Sequence, residues 1–402
     1  METVKTLFFP DPAYILVYHA GLASHYQTDM LKYMSRYFTI RPIYILPTGL
    51  EPFYDRDFGQ IVHFGCNMKE LNSIVLKRIK LMKNIVFNIG VSEALRKLKP
   101  DAVVITELNY PGTWQCLISA LSLGLPVLLR TEATPHITRH GQTLRNSIIK
   151  WVCNRCSAIL SIGTLCTEFY RKIGIPQNKI FLTPYSVDNN YFFAQRDKWR
   201  PLRKQIFEEL KLDSNLPTLL FSGKLIQRKR PLDALKIHGE LWRSNIKTNM
   251  VFIGSGPLQS AIEAEAVKMG LSSVRITGFK NQQEIGKYYA VGDIFLFPSS
   301  EETWGLVVNE AMCFGMPVIT TKGVGCVPDL VKHDYNGYIH ECGDIIGMAS
   351  TTARLIKDKE MLKQFGENSL RIISTWNFEA DVSGFIKAFQ YLASLQKRQK
   401  IL

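Results

Sequence analysis

Short apolar runs alternate along the chain with stretches whose apolar residues recur every three to four positions. This is the pattern of strands and helices in a parallel α/β architecture. In the first half the strand-like runs are Tyr14–His19, Arg41–Leu46, Ile61–Phe64, Ala102–Glu107, Val127–Glu132, Ala158–Ile162 and Ile180–Thr183. In the second half they are Leu219–Ser222, Met250–Ile253, Val274–Thr277, Ile294–Pro298 and Val318–Thr321. Each second-half run ends at or near Gly, Pro or Ser, and ligands of open α/β sheets gather at strand C-termini. A polar, weakly patterned stretch, 191–216, separates the halves and is expected to be a linker between domains 1–190 and 217–377. Near the end, Ser374–Phe378 (STWNF) stands between two helical patterns, the second within 378–396.

The chain has 402 residues, enough for two domains, and its 46% hydrophobic and 21% charged composition is that of a globular protein. Cys116–Leu129 is the most apolar stretch, but Gly124 and Pro126 divide it into a helix, a turn and a buried strand. Neither a leader nor a spanning segment is expected, which implies a cytoplasmic or peripheral protein. The eight cysteines show no repeating spacing, and the lone CxxC of Cys153 and Cys156 has no partner pair, so reduced thiols are expected. The net charge of +14 is uneven: residues 1–200 carry 24 Lys and Arg against 14 Asp and Glu. Such a half suits an anionic partner. Residues 71–100 place Leu71, Ile74, Val75, Ile79, Met82, Val86 and Ile89 at helical spacing, beside Lys77, Arg78, Lys80 and Lys83. This predicts a basic amphipathic helix that either packs on the sheet or docks on an anionic membrane.

Chemistry concentrates in the second half. In FPSSEETWGLVVNEAMCFGMPVIT (297–320) a strand runs into a Ser-Ser turn, and Gly305 opens an amphipathic helix that ends at Cys313-Phe314-Gly315. Free N–H groups at Gly305 and Leu306 suit a phosphate, and Glu302 and Glu310 suit the hydroxyls of a ligand lying across the helix start. In LLFSGKLIQRKRP (219–231) cations follow Gly223 at a strand end, where they suit the charge of a leaving diphosphate. Gly254-Ser255-Gly256 and Gly278-Phe279 close the next two strands.

Together and in this order, these segments resemble the retaining glycosyltransferase family 4, of the GT-B fold. PYSVDNNYF (184–192), FSGKLIQRK, FIGSGP, the Glu302–Glu310 pair, GVGCVPDLVKHDYNGYI (323–339) and STWNF carry the likeness. The resemblance implies two Rossmann-like domains facing a cleft, with the C-terminal helix 378–396 packed back on the N-terminal domain. It implies transfer of a sugar, with retention, from a nucleoside diphosphate (UDP or GDP) to an acceptor hydroxyl in glycan, polysaccharide or glycolipid biosynthesis. Lys224 and Lys229 would hold the diphosphate, Glu302 the transferring sugar and Glu310 the ribose. Gly305, Leu306, Gly254, Gly256 and Phe279 would complete the donor site, with Gly21 facing it from the other domain. No metal or other cofactor is implied.

The sequence departs from the family at Lys224, where Arg is usual, which keeps the charge but loses a bidentate fork. Glu132 stands where the family places His, so Glu132 and His136 are both acceptor-side candidates. Asp55-Arg56-Asp57 is formally a DxD but lacks a nucleotide-binding context, and reads as loop acidity. An epimerase or phosphorylase on the same fold is the nearest alternative. A nucleic-acid-binding protein is a remote one, since no aromatic residues interleave the basic clusters.

Overall fold

A computed structural model describes residues 14–22, 24–46, 53–55, 60–62, 71–74, 76–82, 85–133 and 142–399. The first half supplies β1 (Ile15–Leu22), β2 (Thr39–Leu46), β3 (Phe53–Asp55), β4 (Gln60–Val62), β5 (Lys77–Met82) and β6 (Ile85–Ile89). It continues with β7 (Ala102–Ile105), β8 (Val127–Arg130), β9 (Ala158–Ser161) and β10 (Ile180–Leu182). The second half supplies β11 (Thr218–Ser222), β12 (Asn249–Ile253), β13 (Val274–Ile276), β14 (Ile294–Phe297), β15 (Val318–Thr321) and β16 (Gly337–His340).

Each half forms one six-stranded sheet, in the orders β10-β9-β8-β7-β1-β2 and β13-β12-β11-β14-β15-β16, with parallel pairing throughout. The central strands are apolar runs buried along their whole length because helices cover both faces. The strand expectations hold to within a few residues, with two exceptions. Of Ile61–Phe64, the described residues Ile61 and Val62 belong to β4, which pairs with β3 outside the six-stranded sheet. β16 was missed because GYIH is a short, partly polar edge strand.

The expected basic helix over residues 71–100 does not form as such. Lys77–Met82 and Ile85–Ile89 pair as an antiparallel hairpin, and among the described residues the α-helix is confined to Val91–Leu98. The run Ile85–Ile89 is rich in β-branched and aromatic residues, which favour a pleated surface. Positions at helical spacing here alternate across a ribbon instead: Lys77 pairs with Ile89 and Ile79 with Phe87, all exposed on one face, while Asn88 is buried. Lys83 and Val75 lie outside the described residues, as do Arg56, Asp57 and His136.

The stretch expected as a linker is largely helical, with helices Asn189–Trp199 and Arg203–Leu210. Asp188 caps the first, its carboxylate accepting from the Tyr191 amide at 3.0 Å. Arg200 donates to the Phe314 carbonyl at 2.8 Å. Contacts on several sides blur the apolar stripe that marks a helix in sequence.

After Trp376 the chain crosses back. Helix Phe378–Gln399 buries Phe378, Val382, Phe385, Ala388 and Phe389 against Leu16, Tyr18 and Leu160 of the first sheet. A buried ion pair pins it there, with Arg130 at the end of β8 3.0 Å from Asp381. Among the described residues no helix is long and apolar enough to cross a membrane.

Candidate active site

The site lies between the C-terminal ends of the two sheets. β14 is fully buried, and the chain turns at Ser299 and Ser300, which fix this loop to its neighbour by donating to the Arg228 carbonyl, each at 3.0 Å. Gly305 then takes the left-handed conformation, φ 98°, and caps helix Leu306–Cys313. A side chain would strain that backbone. The first amides of the helix thus open onto a cleft of 440 Å³ lined by Glu302, Gly305, Leu306 and Glu310.

Lys229 enters the same cleft from the loop after β11. It is buried and forms a close ion pair with Glu302, which Arg228 joins at 3.2 Å. Burial pushes the Lys229 ammonium down, and the Glu302 carboxylate opposes that shift. Lys224, half-buried, meets Asp55 of β3 at 3.0 Å. Gly254 and Gly256 serve close backbone approach: a Cβ on Gly254 would lie 2.0 Å from the Gly223 carbonyl oxygen, and one on Gly256 2.7 Å from that of Leu225. They press the turn after β12 against the loop carrying both lysines. Gly254 and Phe279 line the cleft. Gly21 lies one residue from the end of β1, and Ser24, Tyr26 and Gln27 just beyond it face the cleft.

Glu310 is 1% exposed and held by two tyrosines from opposite sides. Tyr26 of the first half donates to Oε1 at 2.5 Å, and Tyr289 donates to Oε2 at 2.7 Å. Burial pushes its carboxyl up to about 7, against the pull of both hydrogen bonds. Further contacts bridge the halves: Thr303 donates to Glu132 at 2.7 Å, Gln282 to Asp29 at 3.0 Å and Thr164 to Asp329 at 2.6 Å. Trp376 stacks on Trp304 at 5.5 Å beside them.

A second cavity of 780 Å³ adjoins the cleft, and Tyr26, Gln27, Glu107, Glu132, Tyr185 and Thr303 line both. Glu107 sits just past β7 with φ 25° and opens to the cavity. The surrounding protein and the Glu132 charge push its carboxyl up to about 7. Sequence reasoning passed over Glu107 and Tyr26. The available signal for Glu107 was a charged residue closing a buried apolar run at a strand C-terminus. Cys153 and Cys156 are free, buried thiols. Among the described residues no group of three or more His, Cys, Asp and Glu is arranged to hold a metal ion.

Two Rossmann-like α/β domains facing a cleft, joined again by a final crossing helix, constitute the GT-B architecture. Residues 203–371 match the family described as glycosyl transferases group 1. The fold is shared by a glycosyltransferase of Rickettsia africae, at TM-score 0.74 and 14% identity over 95% of this chain and 99% of that one. It is shared as well by Anabaena Alr3699/HepE, solved with UDP-glucose, at TM-score 0.67 and 14% identity over 96% and 100%. In sequence the chain is 25% identical over 225 residues to the N-acetyl-alpha-D-glucosaminyl L-malate synthase of Bacillus anthracis, covering 56% of each. It is 24% identical over 257 residues to the alpha-D-kanosaminyltransferase of Streptomyces kanamyceticus, covering 61% of this chain. It spans 56% and 65% of those two relatives' lengths, less than two thirds of either.

Proposed function

We propose that the chain is a retaining glycosyltransferase of the family 4 type, moving a sugar from a nucleoside diphosphate, UDP or GDP, to an acceptor hydroxyl in glycan, polysaccharide or glycolipid biosynthesis. The observation that carries this reading is the convergence of Lys229, Arg228 and Glu302 with the Gly305-capped helix start on one cleft. The acceptor oxygen bonds to the anomeric carbon as the bond to the diphosphate breaks, and the acceptor's hydroxyl proton ends on the departing diphosphate. Lys224, Lys229 and the amides of Gly305 and Leu306 meet the charge on the departing diphosphate. Glu302, aimed by Lys229 and Arg228, accepts hydrogen bonds from the transferring sugar. Glu310 takes the ribose hydroxyls once Tyr26 withdraws. In this reading 217–377 carries the donor side, and 1–190 with helix 378–396 the acceptor side. Residues 191–216 join them.

The basic side chains fill the charge role of a divalent ion, so transfer is expected to survive chelation by EDTA. The direct test is calorimetry with UDP-, GDP-, ADP- and CMP-sugars, followed by detection of product with and without EDTA. Binding of none of the four, or release of free sugar phosphate, would overturn the assignment. Peripheral attachment at the cytoplasmic face of an anionic membrane is a second element of the reading. Its support is the hairpin face on which Ile79, 48% exposed, and Ile89, 49% exposed, accompany the exposed Lys77.

A further inference from the structure

The 780 Å³ cavity beside the cleft has the volume of a ligand site, roughly 300–1,000 Å³. Three observations bear on what it takes. The first is unspent hydrogen-bonding capacity. Ser186 is 4% exposed and lines the cavity, and its Oγ has no hydrogen-bond partner among the described residues. Gln27 and Asp381 line the same cavity, and their Oε1 and Oδ2 atoms likewise lack a partner; all three oxygens are shielded from the open space. A buried polar atom left unpaired costs about 1–3 kcal/mol, and a ligand hydroxyl reaching any of these three after its side chain turns toward the cavity would relieve that cost.

The second is charge. Glu107 forms no hydrogen bond or ion pair among the described residues, and Glu132 accepts from the Thr303 hydroxyl with the Tyr185 phenol near it. Among the described residues no cation balances the two. The positive charge of Arg130 is spent on Asp381, and Arg145 stands exposed on helix Gln142–Arg155 at the rim. The Glu107 carboxyl, pushed up to about 7, faces Glu132 and the Tyr110 phenol. A phosphate or carboxylate brought here meets like charge, whereas a hydroxyl or an ammonium meets acceptors.

The third is shape. Trp114 and Tyr110 line the wall with Leu108, and the Trp114 N–H is satisfied by the Leu108 carbonyl at 3.0 Å. Its indole face remains to pack on the C–H face of a sugar ring.

We propose that this cavity is the acceptor site and that it selects a neutral or amino sugar over a phosphorylated or carboxylated one. Glu107 and Glu132 accept from its hydroxyls, and Ser186, Gln27 and Asp381 complete the set. Naming it the acceptor site rests on the transferase reading; its selectivity does not.

Saturation-transfer NMR on the full chain, with UDP filling the cleft, tests this with four probes: methyl α-D-glucopyranoside, glucosamine, glucose 6-phosphate and glucuronic acid. The first two are expected to bind, and the last two at least about tenfold more weakly. Glu107→Gln with Glu132→Gln is expected to reduce that discrimination to about twofold, and Ser186→Ala to weaken the methyl glucoside. Equal or tighter binding of the anionic probes, absence of binding by both uncharged and amino sugars, or undiminished discrimination in the double variant overturns the proposal. If UDP does not bind, the donor reading fails on that result alone, and the sugar comparison decides the cavity without it.

Discussion

The two walls of the cleft differ in how their polar groups are spent. On the C-terminal wall nearly every charged group that faces the cleft is already matched: Lys229 and Arg228 with Glu302, and Glu310 with two tyrosines. On the N-terminal wall Ser186, Gln27 and Asp381 each keep an unpartnered oxygen, and Glu107 stands in strained backbone without a partner among the described residues. A wall that recognises a diphosphate and a ribose meets the same chemistry in every donor, and can be rigid and self-satisfied beforehand. A wall that recognises a particular acceptor holds its capacity open until the acceptor supplies it. Matched groups are pre-organisation, and unmatched ones are specificity.

The largest test of this contrast is structural. Arg130 and Asp381 are the exception on the open wall, a buried pair that anchors the crossing helix. Arg130→Met is expected to cost about 3–5 kcal/mol of stability by leaving Asp381 uncompensated, read from urea denaturation. Replacing both with apolar residues is expected to recover most of it. Equal losses in single and double variants would mean that the pair is not coupled.

Next is the matched wall. Lys229→Ala is expected to lower kcat/KM by about 2–4 kcal/mol of transition-state stabilisation with the melting temperature little changed. Near-normal turnover would remove Lys229 from the reaction.

A smaller effect, of opposite sign, is expected from Tyr26→Phe. Its hydroxyl occupies Glu310 Oε1, where the reading places a ribose hydroxyl. Deleting it should tighten UDP or GDP binding by about 0.5–1.5 kcal/mol in calorimetry. Weaker binding would show that Tyr26 assists the nucleotide rather than standing in for it.

The smallest concerns the hairpin. Co-sedimentation with anionic liposomes should fall as salt rises, and Lys77→Glu should weaken it by about 1 kcal/mol. Salt-independent binding, or none, would detach this face from any membrane role.

Most of the sheet framework was legible because buried parallel strands are apolar runs that close on turn residues, as Leu219–Ser222 and Ile294–Pro298 do. That Glu302, Glu310 and Lys229 share one cleft was legible because each follows such a run, the glutamates in one motif and Lys229 in another. The hairpin Lys77–Ile89 was misread because in a short segment the same apolar residues fit a period of 3.6 and an alternation across two paired strands. The tyrosine clasp on Glu310 was hidden, since Tyr26 and Glu310 are 284 positions apart. Ser186 stands inside PYSVDNNYF, but nothing in that motif singles out its side chain. Its meaning comes from burial beside a cavity, which only the folded chain supplies.

The crossing helix sets an order in time. A ribosome translating this chain completes the Lys229, Glu302 and Glu310 cluster before it reaches Asp381. Until helix Phe378–Gln399 emerges and docks on β9 and β10, Arg130 lies exposed at the base of the second cavity without its counter-ion. The nascent protein therefore has the wall of Lys229, Glu302 and Glu310 in hand while the opposite wall is still unfinished. Under the proposed reading, the two walls become competent together only once this helix has docked.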